Sequence, residues 1–321
     1  MITLIGEIMS ETKYANAVGA VRAMENSLLT RTDIDQLINS RSKAEISSII
    51  SARSGSSSSE SLSDIWAMLR EYAPDCKELP ILLYRNDFHN LKAVLKAIIS
   101  NRDPKQYYIE PSNVELSVLV DAINSKEYDD LPKYMQKTAE EAYELIIQTL
   151  DGQLSDSLID MAALKAMQDS ASESGSSFMQ RYAELLTVCA DIKTAYRCSI
   201  LGKSAQFMEE ALCGSSELDK EQLIKAALGG TETLFSFLEG TSYSDAAAFL
   251  KESAAQYEKW CDDVIMELAE FARMQAFGSE PLAAYFIAKE AEIKNLRILS
   301  VCKEFGADKE TITERMRKLY V

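Results

Sequence analysis

The sequence predicts an all-α protein, and three observations carry that prediction. Glycine and proline are scarce, at 12 and 6 of 321 residues, whereas residues that favour helices are plentiful. Apolar residues recur every three or four positions along most of the chain, as they do on the buried face of a helix. Almost no segment alternates polar and apolar residues over the length that a strand needs, so we expect no sheet.

The first helices follow from their spacing and capping signals. Apolar residues at helical spacing predict a helix from Tyr14 to Leu29, and the sequence TDID at 32–35, with Thr32 leading, is typical of a cap that opens a second helix. The serine-rich stretch SGSSSSESLS at 54–63 predicts a flexible loop. Proline suits the first turn of a helix and the sequence NRDP ends one, so we expect one helix from Pro80 to about Ser100.

The remaining chain also divides into helices. We expect them at about 112–124, 133–149, 153–170, 176–201, 219–228, 244–275, 280–304 and 308–319. Three polar residues are expected to cap helices, each with a further polar residue three positions later: Ser112, Asp219 and Asp308. Two glycines are expected to end helices: Gly202 and Gly306.

Charge and cysteine content exclude several classes of protein. The net charge of −16 argues against binding to nucleic acid and against direct electrostatic attachment to an anionic membrane. The six cysteines form no Cys-x-x-Cys pair, so we expect buried, reduced thiols in a cytosolic protein. The opening residues MITLIGEIM lack the basic start of a signal peptide, and no apolar run is long enough for a transmembrane helix.

An internal repeat organises the helices. DFHNLKAVLK at 87–96 resembles EIKNLRILSV at 292–301, and DIKTAYRCSI at 191–200 is a weaker third copy. The distance from Asp87 to Asp191 is 104 residues, and the distance from Asp191 to Glu292 is 101 residues. The nearly equal spacing predicts three related helical units with pseudo-threefold symmetry, at 1–79, 80–172 and 173–277, and closing helices at 278–321 that pair with the N-terminal unit.

The repeat defines a set of polar residues that we take as the candidate site. An acid, an asparagine three positions later and a base cover adjoining parts of one helix surface. Because a single active site would not be present three times, we expect architectural roles. Two interpretations remain open: the residues line a central opening, or they tie one unit to the next, which we favour. The set, called the repeated polar set below, is Arg85, Asp87, Asn90, Asp191, Arg197, Glu292, Asn295 and Arg297.

These motifs resemble a known family. The segments RNDFHNLKAVLKA and EPLAAYFIAKEAEIKNLRILSVCKEFGADKETITERM are similar to the C subunit of the bacterial and archaeal V/A-type rotary ATPases, the counterpart of the d subunit in eukaryotic vacuolar ATPases. The first helix also resembles the family pattern Y-x-x-A-V-x-A-x-R, followed by a Leu-Leu pair at 28–29. The chain departs from the family at the serine-rich stretch, which replaces a Thr-x-Tyr turn, and at Thr194 and Ala195, which replace Asn-Leu.

The resemblance implies a fold and a function. Members of the family are all-helical and funnel-shaped, with three similar units around a central opening. The resemblance implies a non-catalytic central-rotor subunit, without cofactor or metal, that forms the socket between the central stalk and the membrane proteolipid ring. Such a protein carries torque for ATP-coupled proton or sodium transport. It is a peripheral protein on the cytoplasmic face of the membrane, held there only through the ring.

Other interpretations of single motifs are weaker. His89 is the only histidine and has no second histidine or cysteine nearby, so a helix-surface or core position is favoured over a metal ligand. The sequence LGKS at 201–204 lacks the first glycine of a phosphate-binding loop. Asp262, Asp263 and Glu267 resemble the magnesium site of all-helical prenyltransferases, but such a site needs a second Asp-rich helix. A general helical adaptor predicts shorter repeats.

Overall fold

The computed structural model confirms the all-α class. It describes residues 14–40, 43–54, 61–149 and 151–321, so most of the loop predicted at 54–63 lies outside the described residues. Within these ranges the regular elements are helices, and no strand is present. No helix of the described ranges is both long and apolar enough to cross a membrane.

The described residues form sixteen α-helices. They are α1 (Ala15–Glu25), α2 (Arg31–Asn39), α3 (Lys43–Ser54), α4 (Leu62–Tyr72), α5 (Tyr84–Ile99), α6 (Leu116–Ser125), α7 (Lys133–Thr149), α8 (Gly152–Ser174), α9 (Ser177–Leu201), α10 (Ala205–Ala211), α11 (Lys220–Leu228), α12 (Thr231–Glu239), α13 (Ser244–Glu252), α14 (Ala254–Ala272), α15 (Glu280–Glu304) and α16 (Lys309–Arg315). Two short 3₁₀ helices lie at Leu79–Leu83 and Pro104–Gln106.

The first of two compact units joins both ends of the chain. It contains the residues up to 79 together with 248–321. The long helix α15 packs against α1, α4 and α14, and α16 packs against α2 and α15. Trp66 on α4 meets Phe286 on α15 edge to face, with ring centroids 5.4 Å apart. A second apolar cluster, which includes Leu37, Leu299 and Ile312, fills the space between α2, α15 and α16.

The second compact unit contains residues 80–247. Its centre is α8, which packs against α5, α7 and α9, while α11 packs against α9 and α12. Tyr84 at the start of α5 stacks on Tyr134 of α7, with ring centroids 3.9 Å apart and ring planes 22° apart. The three repeated units and their closed, funnel-like arrangement stay predictions.

Several helix boundaries differ from the predictions. The cap of α2 is Thr30, whose hydroxyl oxygen accepts from the Asp33 backbone N–H at 3.4 Å, while the Asp33 carboxylate accepts from the Thr30 backbone N–H at 2.8 Å. The expected cap at Thr32 was therefore wrong. The two candidates share the same spacing, and local sequence does not separate them. A 3₁₀ turn precedes α5, and Ser253 divides the helix expected at 244–275 by capping α14. The prediction missed α4, α10 and α12. Helix α10 has seven residues and α12 has nine, which are too few to show a clear helical periodicity.

Candidate functional site

Asp87, the first acid of the repeated polar set, lies in the interior of the second unit. It sits in the first turn of α5, and its side chain has no exposed surface. Its carboxylate accepts hydrogen bonds from Ser112 Oγ at 2.7 Å, the Asn113 backbone N–H at 2.7 Å, Asn113 Nδ2 at 2.8 Å and Tyr134 Oη at 2.7 Å. Burial raises the pKa of Asp87, and these four bonds oppose that effect.

Ser112 therefore does not cap a helix. Helix α6 begins later, at Leu116, and its N-cap residue Glu115 makes no side-chain capping bond. The Ser112 hydroxyl instead donates to Asp87, so the expected cap was wrong. The buried carboxylate needs donors more than the exposed helix end does, because water can satisfy the latter.

Asn90 repeats this use of a polar side chain one turn further along α5. The side chain is fully buried. Its Nδ2 donates to the Ile109 carbonyl at 2.9 Å, and its Oδ1 accepts from the Ile109 backbone N–H at 2.8 Å. One side-chain amide thus satisfies both backbone groups of one residue, as a neighbouring strand would.

Asp191 on α9 binds backbone N–H groups of a later segment, as Asp87 on α5 binds that of Asn113. Its side chain is 4% exposed, and its two oxygens accept from the backbone N–H groups of Cys213 at 2.9 Å and Gly214 at 2.7 Å. Burial raises the pKa of Asp191 to about 6, although both backbone hydrogen bonds and the positive charge of Lys220 act in the opposite direction.

On α15, Asn295 makes the same contact as Asn90. Its Oδ1 accepts from the Arg317 backbone N–H at 2.8 Å, and its Nδ2 donates to the Arg317 carbonyl at 3.2 Å. Glu292, one turn earlier, accepts from the Leu29 backbone N–H at 2.7 Å and pairs with Lys289 Nζ at 2.9 Å. The repeated sequence motif is therefore matched by a repeated backbone contact.

Four members of the set hold a chain segment that returns to their helix. Asp87, Asn90, Asp191 and Asn295 each bind a segment 19 to 26 residues later in the chain, apart from the Tyr134 bond. Each such contact therefore stays inside one predicted unit, and only Glu292 reaches from the closing helices to the N-terminal residues. Chemically, these groups fix backbone, because their oxygens and amide hydrogens are taken up by hydrogen bonds.

The arginines of the set differ from its acids and amides in exposure. Arg85, Arg197 and Arg297 are exposed, whereas the acids and asparagines are buried or, for Glu292, half-buried. Arg297 borders a surface groove formed with residues of α14 and α16. The position of these arginines at a central opening stays a prediction.

Tyr134 and Asn113 are partners of the set that the sequence analysis missed. Tyr134 lies 47 residues beyond the carboxylate that it contacts, and no local pattern links the two. Its pKa is raised, first by burial and then by the nearby charge of Asp87. Asn113 Nδ2 also donates to the Pro80 carbonyl at 2.9 Å, so it links the segment after α5 to the segment before that helix.

A second, partly buried network, in the first unit, was also missed. Arg22 on α1 pairs with Glu25 at 2.5 Å and donates to the Gln275 carbonyl at 2.8 Å. Tyr320 Oη donates to the Glu25 carboxylate at 3.0 Å. Arg22 was noted in the sequence as part of the first-helix pattern, but Gln275 lies 253 residues away along the chain.

The acids of the prenyltransferase interpretation are bound to the C-terminal segment. Asp262 pairs with Lys294 at 2.5 Å and Arg317 Nε at 2.7 Å, and Asp263 accepts from the Lys318 backbone N–H at 2.7 Å. Glu267 contacts Lys318 Nζ at 3.3 Å. In the described ranges, no group of three or more His, Cys, Asp or Glu side chains is placed to hold a metal ion.

The other single motifs have ordinary structural roles. His89 is exposed on α5. Gly202 ends α9 with φ of 61°, in the left-handed region, as expected for a helix terminator. All six cysteines are free thiols; four are buried, and Cys213 and Cys261 are half-buried.

Comparison with known proteins gives a consistent set of relatives. The family model of the ATP synthase (C/AC39) subunit matches residues 17–315. The chain is 30% identical over 275 residues to the C subunit of the V-type sodium ATPase of Enterococcus hirae, and the match covers 82% of this chain and 81% of that protein. It is 22% identical over 336 residues to the C subunit of the A-type ATP synthase of Thermococcus kodakarensis, and this match covers 94% and 90% of the two chains.

The sequence motifs, the helical fold and the relatives agree. The residues matched by the family model include all eight members of the repeated polar set. The asparagines of the repeated motif, Asn90 on α5 and Asn295 on α15, make matching backbone contacts. With the match extending over both compact units, this chain belongs to the family of C subunits of the V/A-type ATPases.

Proposed function

We propose that the chain is a non-catalytic central-rotor subunit of a V/A-type ATPase or ATP synthase. It acts as the socket that joins the central stalk to the proteolipid ring and carries torque between them. The observation that carries this proposal is the family match over residues 17–315. Support also comes from two relatives whose names place them in a V-type sodium ATPase and an A-type ATP synthase.

A torque-carrying socket must resist twisting, and the packing of the chain is suited to this. Dense, helical interiors deform little under load. Buried carboxylates and amides on α5, α9 and α15 each hold a backbone segment that lies 19 to 26 residues later in the chain. These contacts support a stiff body for each compact unit.

The proposed position is peripheral, on the cytoplasmic face of the membrane. Attachment through the cytoplasmic loops of the ring requires no membrane-spanning segment in this protein. The net charge of −16 favours an association with basic ends of the central stalk over one with anionic lipid. The proposal does not distinguish proton coupling from sodium coupling, because the ring selects the ion.

Deleting the gene tests the coupling role. In membrane vesicles from the deletion strain, we expect ATP-driven ion transport to fall to background while detached catalytic domains still hydrolyse ATP. Re-expression of the wild-type chain should restore transport. Tagged chain from the restored strain should co-purify, in mild detergent, with the central stalk and the proteolipid. Normal ATP-driven transport without the chain would refute the proposal.

A further inference from the structure

A groove in the second unit gathers positive charge in an otherwise acidic protein. The groove has a volume of about 410 Å³ and lies between α5, the segment at 100–107 and α8. A volume of this size is in the range of small-molecule sites. Its polar side chains are His89, Lys92, Lys96, Ser100, Arg102, Tyr107 and Asp156. The lining therefore carries three cationic groups and one carboxylate, and a second carboxylate outside the lining, Asp160, pairs with Lys92, whereas the chain as a whole carries −16.

The cations of the groove keep unused hydrogen-bond donors. Lys96 Nζ pairs with Asp156 at 2.5 Å, and Lys92 Nζ pairs with Asp160 at 2.6 Å. An ammonium group has three N–H donors, and each lysine uses one in these pairs. Arg102 has five donors, and its contact in the described part of the chain is a long one, 3.4 Å from Nη1 to Tyr107 Oη.

Asp156 contributes an acceptor of a different kind. Its Oδ2 pairs with Lys96, but its Oδ1 is buried and accepts no hydrogen bond from the described residues. A buried carboxylate oxygen without a donor is costly. The Asp156 side chain as a whole is 32% exposed, and rotation about its soft Cβ–Cγ torsion exchanges the two oxygens, so a ligand hydroxyl in the groove can donate to this carboxylate. The groove thus offers anion-binding donors beside one acceptor.

We propose that this groove binds a phosphate ester that also carries a free hydroxyl group. The phosphate oxygens accept from Arg102 and Lys96, whose charges favour phosphate. The ligand hydroxyl donates to the Asp156 carboxylate. Two sources share this chemistry: a soluble phosphate ester such as glycerol 3-phosphate, and the headgroup of a phosphatidylglycerol lipid.

His89 provides a probe inside the groove, because it is the only histidine of the chain. Histidine-selective isotope labelling of the purified full chain therefore gives one imidazole set of NMR signals. Titration with glycerol 3-phosphate should shift these signals saturably, while sodium chloride at equal ionic strength should not. Absence of a saturable shift with both glycerol 3-phosphate and phosphatidylglycerol vesicles would overturn the proposal.

Two variants localise the binding. Arg102→Gln removes the exposed guanidinium and should weaken binding about tenfold, since a charge-assisted hydrogen bond is lost. The matched control is Lys137→Gln on α7, which removes the same charge from a side chain that is 84% exposed and does not line the groove. Equal weakening by both variants would mean that binding follows only net charge, which contradicts a built site.

A comparison of the affinities for two phosphate esters tests the role of Asp156. The wild-type chain should bind glycerol 3-phosphate several-fold more tightly than ethyl phosphate, which lacks the hydroxyl. Asp156→Ala should abolish that preference, whatever it does to phosphate affinity. A preference that survives in Asp156→Ala would overturn the assignment of the hydroxyl to this carboxylate.

Sedimentation with vesicles separates the two sources. If the lipid headgroup is the ligand, the chain should sediment with phosphatidylglycerol vesicles but not with phosphatidylcholine vesicles, and Arg102→Gln should reduce this. If the source is soluble, glycerol 3-phosphate should bind and neither vesicle should sediment the chain. Either result supports a phosphate-ester site. The tests need no other rotor protein, so their outcome is independent of the proposed rotary function.

Discussion

At the scale of single residues, the most constrained groups are two carboxylates that bind loops. Asp87 receives four hydrogen bonds and Asp191 receives two, and both side chains are almost completely buried. A buried acid with several donors is a strong tie when intact. When the carboxylate is removed, the donors lose their partners inside the protein.

Replacing Asp87 by alanine should destabilise the chain by about 3 kcal/mol, because buried donors on Asn113, Ser112 and Tyr134 lose their acceptor. Urea unfolding followed by circular dichroism measures this. The control Glu141→Ala removes a surface pair with Lys137 at 3.3 Å and should cost less than about 0.5 kcal/mol. If stalk binding fell while the free energy of unfolding stayed unchanged, Asp87 would act in binding rather than in stability.

Asp191 should make stability depend on pH. Its ordinary pKa of 3.8 rises to about 6 in the folded chain because of burial. The folded state therefore binds this proton more tightly, and the stabilisation is complete below about pH 4 and lost as the pH rises through about 6. Relative to Asp191→Asn, the wild type should lose up to about 3 kcal/mol over that window. Urea unfolding of both proteins at each pH tests this; a difference that grows with pH in favour of the wild type would contradict it.

At the scale of elements, the ends of the helices are set by local chemistry. The Asp219 and Asp308 side chains accept from the backbone N–H groups of Gln222 and Thr311, each at 2.8 Å, which confirms both predicted caps. Gly306 follows α15 with φ of 67°. Both side-chain caps join residues three positions apart, so their partners are close in the sequence, although the same spacing predicted wrong caps at Thr32 and Ser112.

Two glycines should respond in opposite directions to alanine. Gly202 has φ of 61°, so Gly202→Ala should cost about 1 kcal/mol although no atom lies within 4 Å of the added Cβ. Gly19 lies inside α1, also with nothing within 4 Å, and Gly19→Ala should add up to about 1 kcal/mol. Thermal unfolding of both variants is the measurement. Shifts of the same sign would show that backbone conformation does not control these sites.

At the scale of the whole molecule, two features stand out. Each compact unit has its own apolar interior, around α15 in one and α8 in the other. The chain carries 50 acidic residues against 34 basic ones, and this excess of negative charge favours a cationic partner.

Association with the purified central stalk should depend on salt. If the acidic surface guides docking, the association rate should fall about tenfold between about 50 mM and 500 mM sodium chloride, since salt screens charge attraction. Surface plasmon resonance measures this rate separately from dissociation. A rate that does not change with salt would show that acidic charge has no part in docking.

The amino-acid sequence determined the helical class, most of the long helices and the repeated polar set. These follow from spacings within about four residues and from a repeat that the chain displays directly. The sequence also led to the family, because the R-N-D-x-H-N-L and E-x-x-N-L-R motifs stand intact in this chain. Short helices such as α10 were missed because seven residues are too few to show a helical periodicity.

Only the tertiary structure decided what the repeated polar groups contact. The sequence placed Asp87 and Asn295 on helix faces, but their partners lie 22 to 47 residues along the chain. Glu292 meets a backbone group 263 residues away. The same holds for Ser112, whose hydroxyl serves a buried acid instead of a helix end. Such contacts depend on which backbone groups become buried together, and burial is a property of the packed chain rather than of any local stretch.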